Sequence, residues 1–254
     1  MIRESLYFEF AGVRSTRFNI VNVSVESGLY NETFMSNRTI NEMTIRGHDK
    51  PYFFELTKEP LSFQLKFYFE DSWDDNLIHE VIKWLNVDYY QPLSFSENLD
   101  KVYYCMPVDS PELIHNGLKQ GYISLNMRCD SPYVYGRQSI TKWYECKDTP
   151  ITFEVLNKGH EDIYPFIYIQ KIDFGNVTIT NLSKANSVTS FQSLSHNEKL
   201  LVNGENHIIE SDIPNVYRYD NFNDFYLPLY VGNNRIQVSG KCKIKFQYRY
   251  KFVS

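Results

Sequence analysis

Alanine is nearly absent: of 254 residues, only positions 11 and 185 carry it. A chain so poor in the strongest helix former is not built as a helical bundle. Long apolar runs are missing too. No stretch reaches the roughly 18 consecutive apolar residues that span a bilayer, which implies no membrane association. Arg3 and Glu4 precede a short alternating run from Leu6 to Phe10 rather than the apolar core of an export signal. The expectation is a protein made in a cytoplasm and soluble there. Positive charge is not in excess. The formal net charge is −5, so a broadly basic nucleic-acid-binding surface is not indicated. The four cysteines, Cys105, Cys129, Cys146 and Cys242, form no CxxC pair and no metal-ligand spacing. They read as free thiols in strands. A Cys105–Cys129 disulfide stays open, conditional on their strands pairing.

The motifs of catalysis are missing as well. His79-Glu80 is half of the HExxH zinc motif, but Lys83 stands where the second histidine belongs. Glu70, Asp71, Asp74 and Asp75 lack the spacing and central glycine of a calcium loop, and favourable charge at a helix start accounts for them. Cys105 with His115 has no supporting local signature, and there is no GxSxG, GxGxxG or GxxxxGK[ST]. Asn22, Asn31, Asn37, Asn176 and Asn181 open N-x-[ST] triplets that read as chance matches in an Asn-rich chain with no export signal. The expected catalytic, cofactor and metal sets are therefore none, and no ligand-binding residue is assigned.

Aromatics are what the chain has in quantity, with 18 Phe and 20 Tyr, and they favour sheet. From Leu61, Phe63, Leu65, Phe67 and Phe69 alternate with Ser62, Gln64, Lys66 and Tyr68, the period-two pattern of a half-buried strand. A helix over about 73–86 follows. Leu77, Ile78, Val81, Ile82 and Leu85 make its apolar stripe, and Ser72 or Asp74 its cap. Earlier, residues 6 to 26 give two short strands, ending in the Val21, Val23, Val25 run. Residues 27 to 50 are polar and read as either a long loop or a projecting hairpin. Strand character resumes over 51–56. Residues 105 to 120, with Pro107, Pro111 and Gly117, read as a loop, and 121–129 as a closing strand before the Asp130-Ser131-Pro132 turn.

A domain boundary falls near 136, giving domains 1–136 and 137–254. The second half reads almost wholly as short strands: 140–146, 151–155, 166–172, 176–181, 190–194, 199–202, 208–209, 225–229 and 236–250. Their spacing suggests a sandwich, and Asn203-Gly204 is a tight-hairpin cue. In the last run, Lys241, Lys243, Lys245, Gln247, Arg249 and Lys251 share one face. That face reads either as an edge strand protected by lysines or as a contact for an acidic neighbour or passing DNA. The aromatics of the second half read as core, with sugar stacking as the alternative. Whether the last strand belongs to the second domain or returns to the first is open.

The order of these pieces resembles the distal tail proteins of long-tailed bacteriophages. Pro92-Leu93-Ser94-Phe95-Ser96, Tyr103-Tyr104-Cys105 and the closing Cys129-Asp130-Ser131-Pro132-Tyr133-Val134-Tyr135-Gly136 resemble its amino-terminal domain. One residue separates Asp130 from Pro132, where many relatives have the two adjacent. Gly232, Asn234, Ile236 and Gly240 match the phrase in that family's final hairpin. The resemblance implies a mostly β protein of two β-sandwich domains, the first carrying the helix at about 73–86 and the second galectin-like. It further implies a non-enzymatic virion protein at the tail tip: six copies forming a homohexamer ring that joins the tail tube protein to tail-tip or baseplate hub proteins. A receptor-binding protein is a further expected neighbour, and genomic DNA passes through the channel without specific binding. The alternative is a carbohydrate- or receptor-binding module acting in host adsorption.

Overall fold

The computed structural model describes residues 5–23, 33, 35–184 and 187–253. The end of the early valine run at Val25, and positions 27–32 and 34 of the polar segment, lie outside the described residues. The chain divides into two compact units, 1–135 with 253–254, and 136–252.

The first unit contains β1 (Phe8–Phe10), β2 (Val13–Arg14), β3 (Ile20–Asn22), β4 (Arg38–Met43), β5 (Tyr52–Lys58), β6 (Ser62–Phe69), α1 (Asp75–Leu85), β7 (Gln91–Phe95), β8 (Asn98–His115), β9 (Gly121–Cys129) and β10 (Tyr133–Gly136). One antiparallel sheet runs β2-β1-β7-β8-β9-β6-β3, with β10 also on β8. Alternation decides which side each residue takes: Phe63, Leu65, Phe67 and Phe69 of β6 are buried while Ser62 and Gln64 are exposed. In a flat sheet β1 and β6 would lie about 19 Å apart, four strand spacings. The rings of Phe8 and Phe67 are 5.8 Å apart. The sheet therefore curls over on itself, and its two layers enclose one aromatic core.

The helix closes that core. Asp74 caps it, its carboxylate accepting from the Leu77 amide at 2.7 Å. Of the apolar stripe, Val81 is buried, but Ile82 is exposed. The largest anchor is Trp84, whose indole donates to the Phe10 carbonyl at 2.9 Å, stacks on Phe8 and packs at a tilt against Phe18. Residues 105–120 are not the expected loop, because β8 continues as strand to His115 and pairs with β9. Pro107 is tolerated because it faces Met127 at a position whose backbone does not bond to β9. Pro111 falls in the bulge between Val108 and Glu112.

The second unit contains β11 (Ser139–Ile140), β12 (Tyr144–Cys146), β13 (Ile151–Asn157), β14 (Phe166–Lys171), β15 (Gly175–Asn181), β16 (Ser187–Leu194), β17 (Lys199–Asn203), β18 (Ile208–Ser211), β19 (Gly232–Ser239) and β20 (Cys242–Tyr248), before the short β21 (Lys251–Val253). One sheet runs β11-β20-β14-β17-β18 with β12 also on β20, and the other runs β13-β19-β15-β16. Ile167, Ile169, Val202, Ile244 and Phe246 from the first meet Val155, Val177, Ile179, Ile236 and Val238 from the second in a single buried cluster. This is a sandwich.

Several expectations change here. The run 236–250 is two strands, and they lie in different sheets. Gly240 makes the crossing at φ +94, and a Cβ there would sit 2.1 Å from the Asn176 carbonyl. Only glycine fits. The lysine-bearing strand is not an edge: β20 lies between β14 and the β11 and β12 pair. Lys245 lies over the rings of Trp143 and Tyr168, and Lys241 reaches Asp148 at 3.3 Å. Asn203-Gly204 does not make a two-residue turn, since β17 and β18 close at Asn203 opposite Ile208, leaving a four-residue loop.

Residues 225–229 are not a strand. That stretch touches a ladder only through the Ile163–Leu229 bridge and is held by buried amides instead. Asn234 accepts from the Tyr230 amide at 2.8 Å and donates to the Tyr230 carbonyl at 2.7 Å. Asn181 donates to Pro228 at 3.1 Å and to Asn234 at 2.8 Å, and Asn157 donates to Leu229 at 3.0 Å. Backbone groups without a ladder partner still need bonds when buried, and these side chains supply them.

Candidate assembly surfaces

Among the described residues, strands β4 and β5 pair only with each other. Of their thirteen residues, every one is exposed except half-buried Lys58. The polar segment thus leads into a projecting hairpin, and its second strand is far from polar. Phe53 is 62% exposed, Phe54 57% and Ile40 57%. Ile40 faces Leu56 across the ladder, Met43 faces Tyr52, and a bulge falls at Asn41 and Glu42. The base is tied down: Glu59 donates its amide to the Asn37 carbonyl at 2.9 Å, Thr39 bonds to the Glu59 carboxylate at 2.9 Å, and Lys58 bonds to the Tyr133 hydroxyl at 3.2 Å. An isolated two-stranded hairpin is marginally stable in water. A contiguous exposed apolar surface of this kind marks an interaction site. The sequence signal was present in the consecutive Tyr52-Phe53-Phe54, which breaks alternation.

A second surface lies beside α1. The exposed Ile82, with Ile78 and Leu85, faces Pro107, Pro111 and Leu113 of β8 across an apolar groove of about 390 Å³. Beyond it the β8–β9 tip is exposed from Asp109 to Gln120.

The residues weighed for chemistry are scattered. His79 and Glu80 are exposed on α1, and the His79 ring contacts the Asp75 carbonyl at 2.6 Å. Asp75 pairs with Lys119 at 3.1 Å, and Asp71 accepts from Asn19 at 3.3 Å, so the acidic residues of the helix start have separate partners. Cys105 is buried, and His115 lies ten positions along the same strand, about 33 Å away at the usual rise. They make no nucleophile–base pair. Among the described residues, no three His, Cys, Asp or Glu converge as a metal site. Most second-unit aromatics are core or part-buried: Phe191 stacks on Phe222 and Tyr144 on Phe153. Trp143 remains 46% exposed.

A buried ion pair lies in the second unit. Glu198 is 2% exposed and binds the Arg218 guanidinium through both oxygens, at 2.7 and 2.6 Å. The Ser195 amide and the Ser211 hydroxyl complete its shell at 2.8 Å each. Burial alone would raise this carboxyl, but the bonds from Arg218, Ser195 and Ser211 together hold it below the ordinary range. The pair ties the turn before β17 to the end of β18 and to Arg218. Its two members are twenty residues apart, so no local pattern revealed it.

The architecture, a curled sheet under one helix followed by a sandwich, is shared with phage tail proteins. The structure of the Dit protein of phage SPP1, described as a paradigm of the hub adsorption apparatus in phages infecting Gram-positive hosts, matches with a TM-score of 0.72 at 14% identity, covering 96% of this chain and 98% of that one. A chain of the phage P2 baseplate in its activated conformation matches at 0.51 and 10% identity, covering 97% and 99%. These likenesses show the fold. At the level of sequence, a phage tail protein N-terminal domain matches residues 3–131 and a phage tail C-terminal domain matches 133–248. A prophage-derived uncharacterized protein of Bacillus subtilis, YomH of SPbeta, is 38% identical over 253 residues, the full length of both chains. The chain belongs to this family of two-domain phage tail proteins.

Proposed function

We propose that this chain is the distal tail hub subunit of a long-tailed phage. Six copies close into a ring that joins the tail tube to the tail-tip or baseplate proteins, and DNA passes through its channel. The role is structural, with no catalysis. The observation that carries the reading is the β4–β5 hairpin, a self-paired projection with Phe53, Phe54 and Ile40 in solvent. A ring needs a heterologous contact, one patch on each copy fitting a different patch on the next. The hairpin supplies a projecting apolar patch, and the groove beside α1 supplies a recessed one. The net charge of −5 suits a channel that does not hold DNA.

Light scattering of the purified chain across a concentration series tests this. The expected species has a mass near six chains or two stacked rings of six. A strict monomer at all concentrations, also in the presence of the neighbouring tail proteins, sinks it. A second reading, recognition of a host glycan by the second unit, draws on the exposed Trp143 beside Lys245. Titration with host cell-wall polysaccharide decides that point, and no binding at millimolar concentration ends it.

A further inference from the structure

The four cysteines are two cross-strand pairs, one in each unit. Cys105 lies directly opposite Cys129 on β8 and β9, and Cys146 opposite Cys242 on β12 and β20. All four are buried, free thiols. The two pairs differ in kind, and the backbone hydrogen bonds tell them apart.

In an antiparallel ladder, directly opposed residues alternate between hydrogen-bonded pairs and closer, non-hydrogen-bonded pairs with Cα atoms about 4.5 Å apart. The Cys129 amide donates away from β8, to the Leu61 carbonyl at 2.8 Å, while the next residue, Asp130, donates to Tyr104 at 2.9 Å. Cys105 and Cys129 are therefore a non-hydrogen-bonded pair, with side chains at close approach. The side chains of such a pair approach more closely than those of a hydrogen-bonded pair, toward the roughly 3.5–4.5 Å Cβ separation that a disulfide spans. Burial pushes the Cys105 thiol well up, and the Cys129 thiol beside it adds to the shift.

The second pair has the other geometry. The Ile172 amide donates to the Lys241 carbonyl at 2.9 Å, which directs the Cys242 backbone toward β12 and makes Cys146 and Cys242 a hydrogen-bonded, wider pair. The Cys146 thiol is also engaged elsewhere, donating to the carbonyls of Val238 at 3.4 Å and Thr149 at 3.5 Å.

We propose that Cys105 and Cys129 are a latent cross-strand disulfide, formed after the particle leaves the reducing interior of the cell, whereas Cys146 and Cys242 stay reduced. The timing rests on the tail-hub reading; the choice of pair rests on the strand register alone. The oxidant is a low-molecular-weight disulfide of the oxidised-glutathione class. Two S–H bonds break and one S–S bond forms between the Sγ atoms. The two protons and two electrons reduce the small disulfide to two thiols. Thiol exchange runs through the thiolate, so a buried pair whose Cys105 thiol is pushed up reacts slowly and waits on local opening next to the Asp130–Pro132 turn. Once formed, the bond locks the base of the β8–β9 hairpin, whose exposed tip is one of the surfaces offered to neighbours.

The full-length protein, purified in reductant and then moved into oxidised glutathione at mildly alkaline pH, is unfolded in excess maleimide, digested and mapped by mass spectrometry. The expected product is a cross-linked peptide pair holding Cys105 and Cys129, with Cys146 and Cys242 alkylated. The thermal midpoint of the first unit should rise on oxidation by about 5–10 °C. Cys146→Ser/Cys242→Ser should keep that rise and Cys105→Ser/Cys129→Ser should lose it. Complete alkylation of Cys105 and Cys129 after prolonged oxidation overturns the proposal, as does equal cross-linking of Cys146 to Cys242. The wild-type map stands even where a serine variant fails to fold. The same map on released particles tests the timing: a reduced pair there overturns the timing while leaving the ring intact, and a cross-linked pair in a chain that never forms a ring supports the pair while overturning the hub.

Discussion

Strands β5 and β6 follow each other within eighteen residues, and both are rich in phenylalanine. In β6, Phe67 is fully buried. In β5, Phe53 and Phe54 stand in solvent. The residue type is the same and the fate is opposite. Alternation makes the difference. β6 spaces its apolar residues by two, so one face enters the curled sheet while Ser62 and Gln64 meet water. β5 places Tyr52, Phe53 and Phe54 in a row and pairs with β4 alone, so among the described residues no layer of its own unit covers it. A buried phenylalanine stabilises the chain that carries it. An exposed pair on a self-paired hairpin stabilises an assembly instead, through apolar surface removed from water on contact.

Substitutions separate these two fates. The largest effect belongs to Phe67→Ala, which removes a fully buried ring from among Phe8 and Phe69. It should cost about 3–5 kcal/mol, read as a lower denaturant midpoint for the first unit. A cost under about 1 kcal/mol would mean that the curled sheet is not the core described.

Arg218→Met probes the buried face of the second sandwich. Removing one partner strands Glu198 without a counter-charge and should cost about 3 kcal/mol at neutral pH. The pH dependence has a definite sign. Glu198 is held below the ordinary carboxylate value of 4.5, so its contribution is full above that value and fades as pH falls through the lower folded-state value. The wild type should lose thermal stability in acid below about 4.5, and the variant should be flatter there. Equal slopes for the two proteins would remove the pair from the account.

The smallest stability effect, and the sharpest contrast with Phe67, is expected for Phe53→Ser/Phe54→Ser. Exposed changes of this kind shift folding by about 0.5 kcal/mol or less. Unfolding curves at concentrations where the chain is monomeric should overlay those of the wild type, and the assembled species should be depleted. A large loss of monomer stability would instead put both rings in the first unit's core.

Much of the architecture was legible from period and spacing. The alternation of β6 stands where periodicity puts it, and of the two caps offered for α1, Ser72 and Asp74, it is Asp74 that binds the helix start; each depends on neighbours within a few residues. The motif glycine and asparagine have physical roles as well. Gly240 turns the chain between sheets where no Cβ fits, and Asn234 bonds the irregular 228–232 segment from inside. What escaped depends on distant partners. β8 running past two prolines, β20 in a sheet interior and the Glu198–Arg218 pair are all set by partners outside the local sequence. The candidate interface lay half within a stretch read as polar, and only the pairing of β4 with β5 shows that its phenylalanines have no core to enter.

The central claim is that the hairpin joins one copy to the next. Light scattering of the wild type beside a variant in which residues 38–58 are replaced by a short Gly-Ser linker tests it most directly. The account predicts a mass near six chains, or a multiple, for the wild type and a folded monomer for the variant. A variant that still assembles to the wild-type mass would show that the ring is built by other surfaces.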